Sequence, residues 1–177
     1  MDIDGAERLI DGGIYITVFL SGELGKSHWG LYHHYKVDSV KSAFGEKYVP
    51  RGCKYHIKNA GSSDRFIPDH AQTSGVLSSI FLVGLVLIGI VPVQYQTSLD
   101  SEIRSSDDSV STTPDINCQR WVLDTVMRLV SKGFLRNRYT RNEIENEIWQ
   151  FATRHWDGAW DAQKPRPIEQ SRLFGFD

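Results

Sequence analysis

Cys118 and His28 are the residues of this chain best suited to covalent chemistry. Cys118 lies in Asn117-Cys118-Gln119-Arg120-Trp121-Val122, at the start of an amphipathic helix pattern. His28 lies far upstream in Ser27-His28-Trp29-Gly30-Leu31-Tyr32, where it opens a strand pattern. A thiolate is a strong nucleophile, and an imidazole is the usual base that generates one. A helix N-terminus and a neighbouring imidazolium both lower a thiol's pKa. Asn117 is a favoured N-cap residue, so Cys118 is expected at the first helical position. There its backbone N–H is free to hold an oxyanion.

The remaining histidines supply the choice of a third group. Of the six, His56 falls on a predicted strand and can reach the far nitrogen of His28, an orienting role. His33 and His34 continue the first histidine strand outward. They point to opposite faces and make poor co-ligands, and no CxxC or HExxH spacing occurs, so neither metal nor cofactor is expected. His70 falls in a loop beside Asp69, and His155 on the last helix. Strand alternation puts His28, Gly30, Tyr32 and His34 on one face. This phase would let His28 and Tyr32 look toward the helix of Cys118. Each residue also has a plain structural reading: a cysteine facing a core is a small hydrophobe, and a strand histidine is a satisfied polar group.

The elements that must position these groups follow from periodicity. Ile14–Leu20 and Trp29–Val37 read as strands, with Gly22 and Gly25 in the turn between them. Lys54–Asn59 alternates with a period of two and reads as a third strand, with Cys53 packed near its start. Val76–Val93 is an 18-residue apolar run, at the lower limit for a membrane span. It has no flanking cationic cluster and carries Gly84, Gly89 and Pro92. It therefore reads as a turn near Thr73–Phe81 followed by a buried strand, Leu82–Val91. Ser105–Asp115 is polar and reads as a mobile surface loop leading into the cysteine. Ser39–Arg51 reads as another loop, and the two would wall a substrate pocket.

From Asn117 the chain turns helical. Cys118, Trp121, Val122, Thr125, Val126, Leu129 and Val130 form one stripe, stopped at Gly133. Thr140 and Glu143 form a capping box for a second helix, with Ile144, Ile148, Phe151, Ala152 and His155 on its stripe. Residues 161–177 read as an extended tail.

Composition bounds the function. With 177 residues, 40% hydrophobic and 24% charged, the chain is long enough for one globular domain, 1–177. A net charge of −2 turns the reading away from nucleic acid. The cluster at Arg136–Arg141 reads as a solvated turn between helices. Two cysteines are too few for a disulfide framework, and the acidic start is unlike a signal peptide. A cytoplasmic location is expected.

The histidine string HWGLY resembles the first motif of the lecithin:retinol acyltransferase-like proteins. Asn117-Cys118-Gln119-Arg120-Trp121-Val122 resembles their second motif, with the aromatic displaced by one position. The same His-before-Cys order marks the PPPDE isopeptidases. Both groups are circularly permuted relatives of NlpC-like, papain-fold peptidases. The second histidine of the family matches His56 in Tyr55-His56-Ile57. The resemblance implies an α+β, permuted papain-like fold, with an antiparallel sheet of four to five strands packed on helices.

The resemblance also implies acyl transfer on an amide, ester or thioester of a small-molecule or peptide substrate. Cys118 would be the nucleophile, His28 the base and His56 the third residue. Tyr32, Asn117 and Gln119 would support the oxyanion, and Trp29 and Trp121 would line the pocket. The polar, proline-containing end lacks the membrane helix common in the acyltransferases, so a membrane is not the expected partner. Two alternatives remain: a non-catalytic binding or scaffold domain on the same fold, and a membrane-associated lipid acyltransferase using Val76–Val93.

Overall fold

The computed structural model describes residues 5–21, 26–43, 45–61 and 65–176. Gly22 and Gly25 lie outside them. Strand β1 (Gly13–Leu20) pairs antiparallel with β2 (Ser27–Ser42), and β2 with β3 (Gly45–Tyr55). Then β4 (Ile57–Asn59) and β5 (Phe66–Pro68) form a separate two-stranded sheet. β6 (Ala71–Thr73) returns to the edge of β3. β7 (Leu82–Ile90) pairs with the other side of β1.

Helices α1 (Gln96–Arg104), α2 (Asp107–Val110), α3 (Cys118–Ser131) and α4 (Arg141–Trp160) follow. β8 (Ile168–Gln170) closes the order β6-β3-β2-β1-β7-β8, parallel to β7. The architecture is α+β, with a mostly antiparallel sheet packed on helices.

Alternation along the inner strands makes two cores. Ile14, Ile16, Val18, Trp29 and Leu31 face Trp121, Val122 and Val126 of α3 and Ile148 and Phe151 of α4. Tyr15, Tyr32, Leu85 and Leu87 face the other way, onto Ala6, Leu9, Val76 and Leu77. The apolar run becomes β7, an interior strand buried from Leu82 to Gly89. Burying each of its aliphatic side chains stabilises the fold by roughly 1.5–3 kcal/mol. No helix among the described residues is long and apolar enough to cross a membrane.

Several expectations are corrected. The sheet has six strands, because β6 and β8 join it. Ser39–Arg51 is no loop: β2 and β3 pair from Ser42↔Gly45 inward as a two-stranded arm. Its charged residues pair along and across the ladder: Asp38 meets Lys36 of its own strand at 2.8 Å and Arg51 of β3 at 2.9 Å. That polarity hides the strand pattern from an apolar count. Ser105–Asp115 contains α2, whose Val110 is buried in the helix-side core. The segment 161–177 supplies β8, the buried Arg166 and the buried Phe174.

Candidate active site

The start of α3 is built as its sequence requires. Asn117 is extended and its Oδ1 accepts the Arg120 N–H at 2.8 Å. This N-cap leaves Cys118 as the first helical residue. Gln119 then donates from Nε2 to the carbonyl of Ser27 at 3.2 Å, docking the helix start on the start of β2.

The Cys118 thiol is half-buried, against the backbone N–H groups of Trp29, Gln119 and Cys118 itself. Burial raises its pKa; those N–H dipoles pull it down, and burial wins. A backbone N–H points within the plane of its sheet. A thiol that meets the N–H of Trp29 therefore sits at the edge of β2, one residue from His28.

His28 leaves β2 from the opposite face. Trp29 and Leu31 point to the helices, so 28, 30 and 32 point away, and the expectation that His28 and Tyr32 look toward α3 is reversed. Tyr32 packs on Tyr15 with ring centroids 6.3 Å apart, and its hydroxyl meets His34 Nδ1 at 3.1 Å. It is a core residue of the far face and not an oxyanion donor beside Cys118.

Trp29 and Trp121 are likewise core. Trp29 is fully buried; its indole N–H donates to Ser27 Oγ at 2.8 Å, and its ring packs on Trp149. Trp121 stacks on His70, with ring centroids 5.7 Å apart and planes at 29°. Neither lines the cavity that His28 and His56 form.

His28 Nε2 and His56 Nδ1 are 2.9 Å apart. His56 sits where β3 ends and the chain leaves β2, which breaks the predicted Lys54–Asn59 strand in two. The break has a local cause. The His56 N–H donates to His70 Nδ1 at 3.2 Å, and its carbonyl accepts the Asp69 N–H at 2.8 Å. Asp69 Oδ2 also lies 3.1 Å from His56 Nε2, an ion-pair distance without the alignment of a straight hydrogen bond. The dipeptide Asp69-His70 thus holds His56 at three points. Because His70 Nδ1 accepts, its proton is on Nε2, facing Asp107 Oδ1 at 3.1 Å. That contact ties α2 to the same cluster.

The electrostatics favour neutral imidazoles. Burial, then the charge of Lys54, lowers the pKa of His28. Burial, then His28 and Lys54, lowers His56 to about 4, despite Asp69. For Asp69 burial works upward, but Lys58 at 3.2 Å and His56 prevail and hold it below the usual carboxylate range. With the carboxylate facing His56 Nε2, the His56 proton belongs there. Nδ1 then accepts from His28 Nε2–H, and His28 Nδ1 is the nitrogen of this pair left to take a proton.

His28 and His56 line a cavity of about 260 Å³ on the far face, and Cys118 is not among its lining residues. The structure therefore joins His28 to His56, and brings Cys118 to the backbone beside His28 but not into that cavity. His33 Nε2 meets the carbonyl of Val91 at 3.1 Å and His155 meets Glu169 at 2.5 Å, both away from this cluster. Cys53 is a buried free thiol.

Among the described residues no group of three His, Cys, Asp or Glu side chains is arranged to hold a metal. Asp69, His70 and Asp107 were missed as functional neighbours from sequence; the adjacent Asp-His pair was their one local signal. No protein-family model matches the chain, and neither does any curated protein or solved structure.

Proposed function

We propose that this chain is a cysteine-dependent acyl-transfer enzyme, a hydrolase or acyltransferase on a permuted papain-like version of its α+β fold. Cys118 is the nucleophile, His28 the base, and His56 the residue that orients it. The observation that carries this reading is the thiol at a capped helix start, held against the N–H of Trp29 beside His28. His28 in turn is hydrogen-bonded to His56.

In the reaction the Cys118 proton passes to His28 as sulfur attacks the carbonyl of an amide, ester or thioester. The N–H groups of Cys118 and Gln119 receive the oxyanion. The leaving group takes the proton from His28, and a water or amine releases the acyl group and restores the thiol. Burial raises the thiol and lowers the imidazole, so the resting pair is neutral and the proton moves during attack. Two free thiols fit a reducing cytoplasm, where we place the protein.

A second reading has its own support. The cavity that His28 and His56 line excludes Cys118, which suits a binding domain with a silent thiol. A lipid enzyme anchored by Val76–Val93 has less support, since β7 uses that run inside the sheet. Incubation with p-nitrophenyl acetate separates the first two. Under the enzyme reading one acetyl group is trapped on Cys118, lost in Cys118→Ala and formed more slowly in His28→Asn. The absence of both an adduct on Cys118 and Cys118-dependent release of p-nitrophenol would sink the enzyme reading and leave the binding domain.

A further inference from the structure

The cavity on the far face has a chemistry of its own. It is lined by Phe19, Gly30, Val76, Thr73 and Ser79, together with Lys54 and the two imidazoles. The lining is mainly apolar, with hydroxyls from Thr73 and Ser79. Lys54 is exposed and belongs to no ion pair within bonding reach among the described residues. The carboxylate whose field it shares, Asp69, is engaged by Lys58 and His56. His28 and His56 are held neutral, so they do not compete for an anion. One unneutralised cation beside an apolar recess suits a monoanion with an apolar body. A phosphate would need several converging donors, which the Lys54 ammonium alone does not supply. The volume admits a ligand of about the size of a single aromatic ring bearing a carboxylate.

We propose that this cavity binds a small carboxylate with an apolar body, its carboxylate on Lys54 and its body against Phe19 and Val76. As the site for the substrate's acyl portion it rests on the thiol-enzyme reading; as a carboxylate pocket it does not. Bound charge would sit beside His28 and His56 and favour their protonated forms. Binding therefore strengthens as pH falls, and the imidazole titrations move upward in the complex.

The probes are benzoate and its uncharged counterpart benzamide, added to the full chain while the His28 and His56 imidazole resonances are followed by NMR. Benzoate should shift both resonances and raise their titration midpoints; benzamide should bind more weakly. Lys54→Met should weaken benzoate about tenfold, Lys54→Arg should retain it, and neither should alter benzamide. Equal binding of the two probes, no response at His28 and His56, or full benzoate affinity in Lys54→Met would overturn the proposal. Lys54-dependent benzoate binding in a chain that neither takes acetyl on Cys118 nor releases p-nitrophenol through it supports the cavity and overturns the enzyme reading. Acetyl on Cys118 without benzoate binding overturns the cavity alone.

Discussion

Gly30 lies against His56 so closely that a Cβ built on it would come 3.2 Å from His56 Cβ, and 3.0 Å from both Tyr55 O and Thr17 Oγ1. The carbonyl of Tyr55 is backbone and cannot swing aside. The missing side chain at position 30 is therefore what lets His56 cross to His28. Gly30→Ala should destabilise the fold by about 1–3 kcal/mol, the usual cost of overpacking. It should also separate the imidazoles. Urea unfolding measures the first effect. The second appears as loss of coupled His28 and His56 titration by NMR. A variant with unchanged titration would show that the approach does not depend on the glycine.

Asp69 acts on His28 only through His56. Without the carboxylate, nothing fixes the His56 proton on Nε2, and His28 Nδ1 ceases to be the favoured base. Acyl trapping on Cys118 should fall about ten- to a hundredfold in Asp69→Ala, less than the loss from removing a general base outright. The unfolding midpoint should barely move, because ion pairs of partly exposed groups contribute only ~0–1 kcal/mol. Asp69→Asn, whose amide oxygen keeps a partial negative charge facing Nε2–H, should recover part of the rate. A large fall in stability with no change in rate constant would assign Asp69 a purely structural role.

Local chemistry made the helices legible from sequence. Asn117 caps α3 with its own side chain, and Thr140 and Glu143 close a reciprocal capping box on α4. The apolar run marked β7 for the same reason, since a strand buried on both faces needs no alternation. What sequence hid is non-local. The end of β3 at His56 is imposed by Asp69 and His70, which return from beyond β5. Period two told which residues share a face with His28, but not which face the helices cover. That depends on Trp29 meeting Trp149 of α4, far along the chain. β6 and β8, at three residues each, are strands only because an edge is there to receive them.

Cys118 should be a slow thiol at rest. Burial raises its pKa above the ordinary thiol range, so thiolate is scarce at neutral pH. Alkylation by iodoacetamide follows the thiolate fraction. Its rate at Cys118 should climb through the alkaline range with no plateau near neutrality. His28→Asn should leave that profile unmoved while slowing acyl trapping, because His28 takes the proton only during attack. A neutral plateau abolished by His28→Asn would show a resting thiolate–imidazolium pair instead.

Buried histidines should make the fold acid-sensitive well above the carboxylate range. His34 is fully buried, with Asp11 3.7 Å from Nε2; burial outweighs that charge and lowers its pKa to about 4. His56 is also lowered to about 4. The unfolded chain titrates these imidazoles near 6.5, so it takes up protons first as pH falls. Stability present above about pH 6.5 is then lost progressively down to about pH 4, by about 3 kcal/mol for each imidazole. Carboxylates held low, such as Asp69, add their loss only at lower pH. Urea unfolding through this range should show a slope of at least two protons, since burial lowers His28 and His33 as well. His34→Gln keeps an oxygen to accept the Tyr32 hydroxyl and should reduce that slope by about one proton. An unchanged slope in His34→Gln would remove His34 from the account.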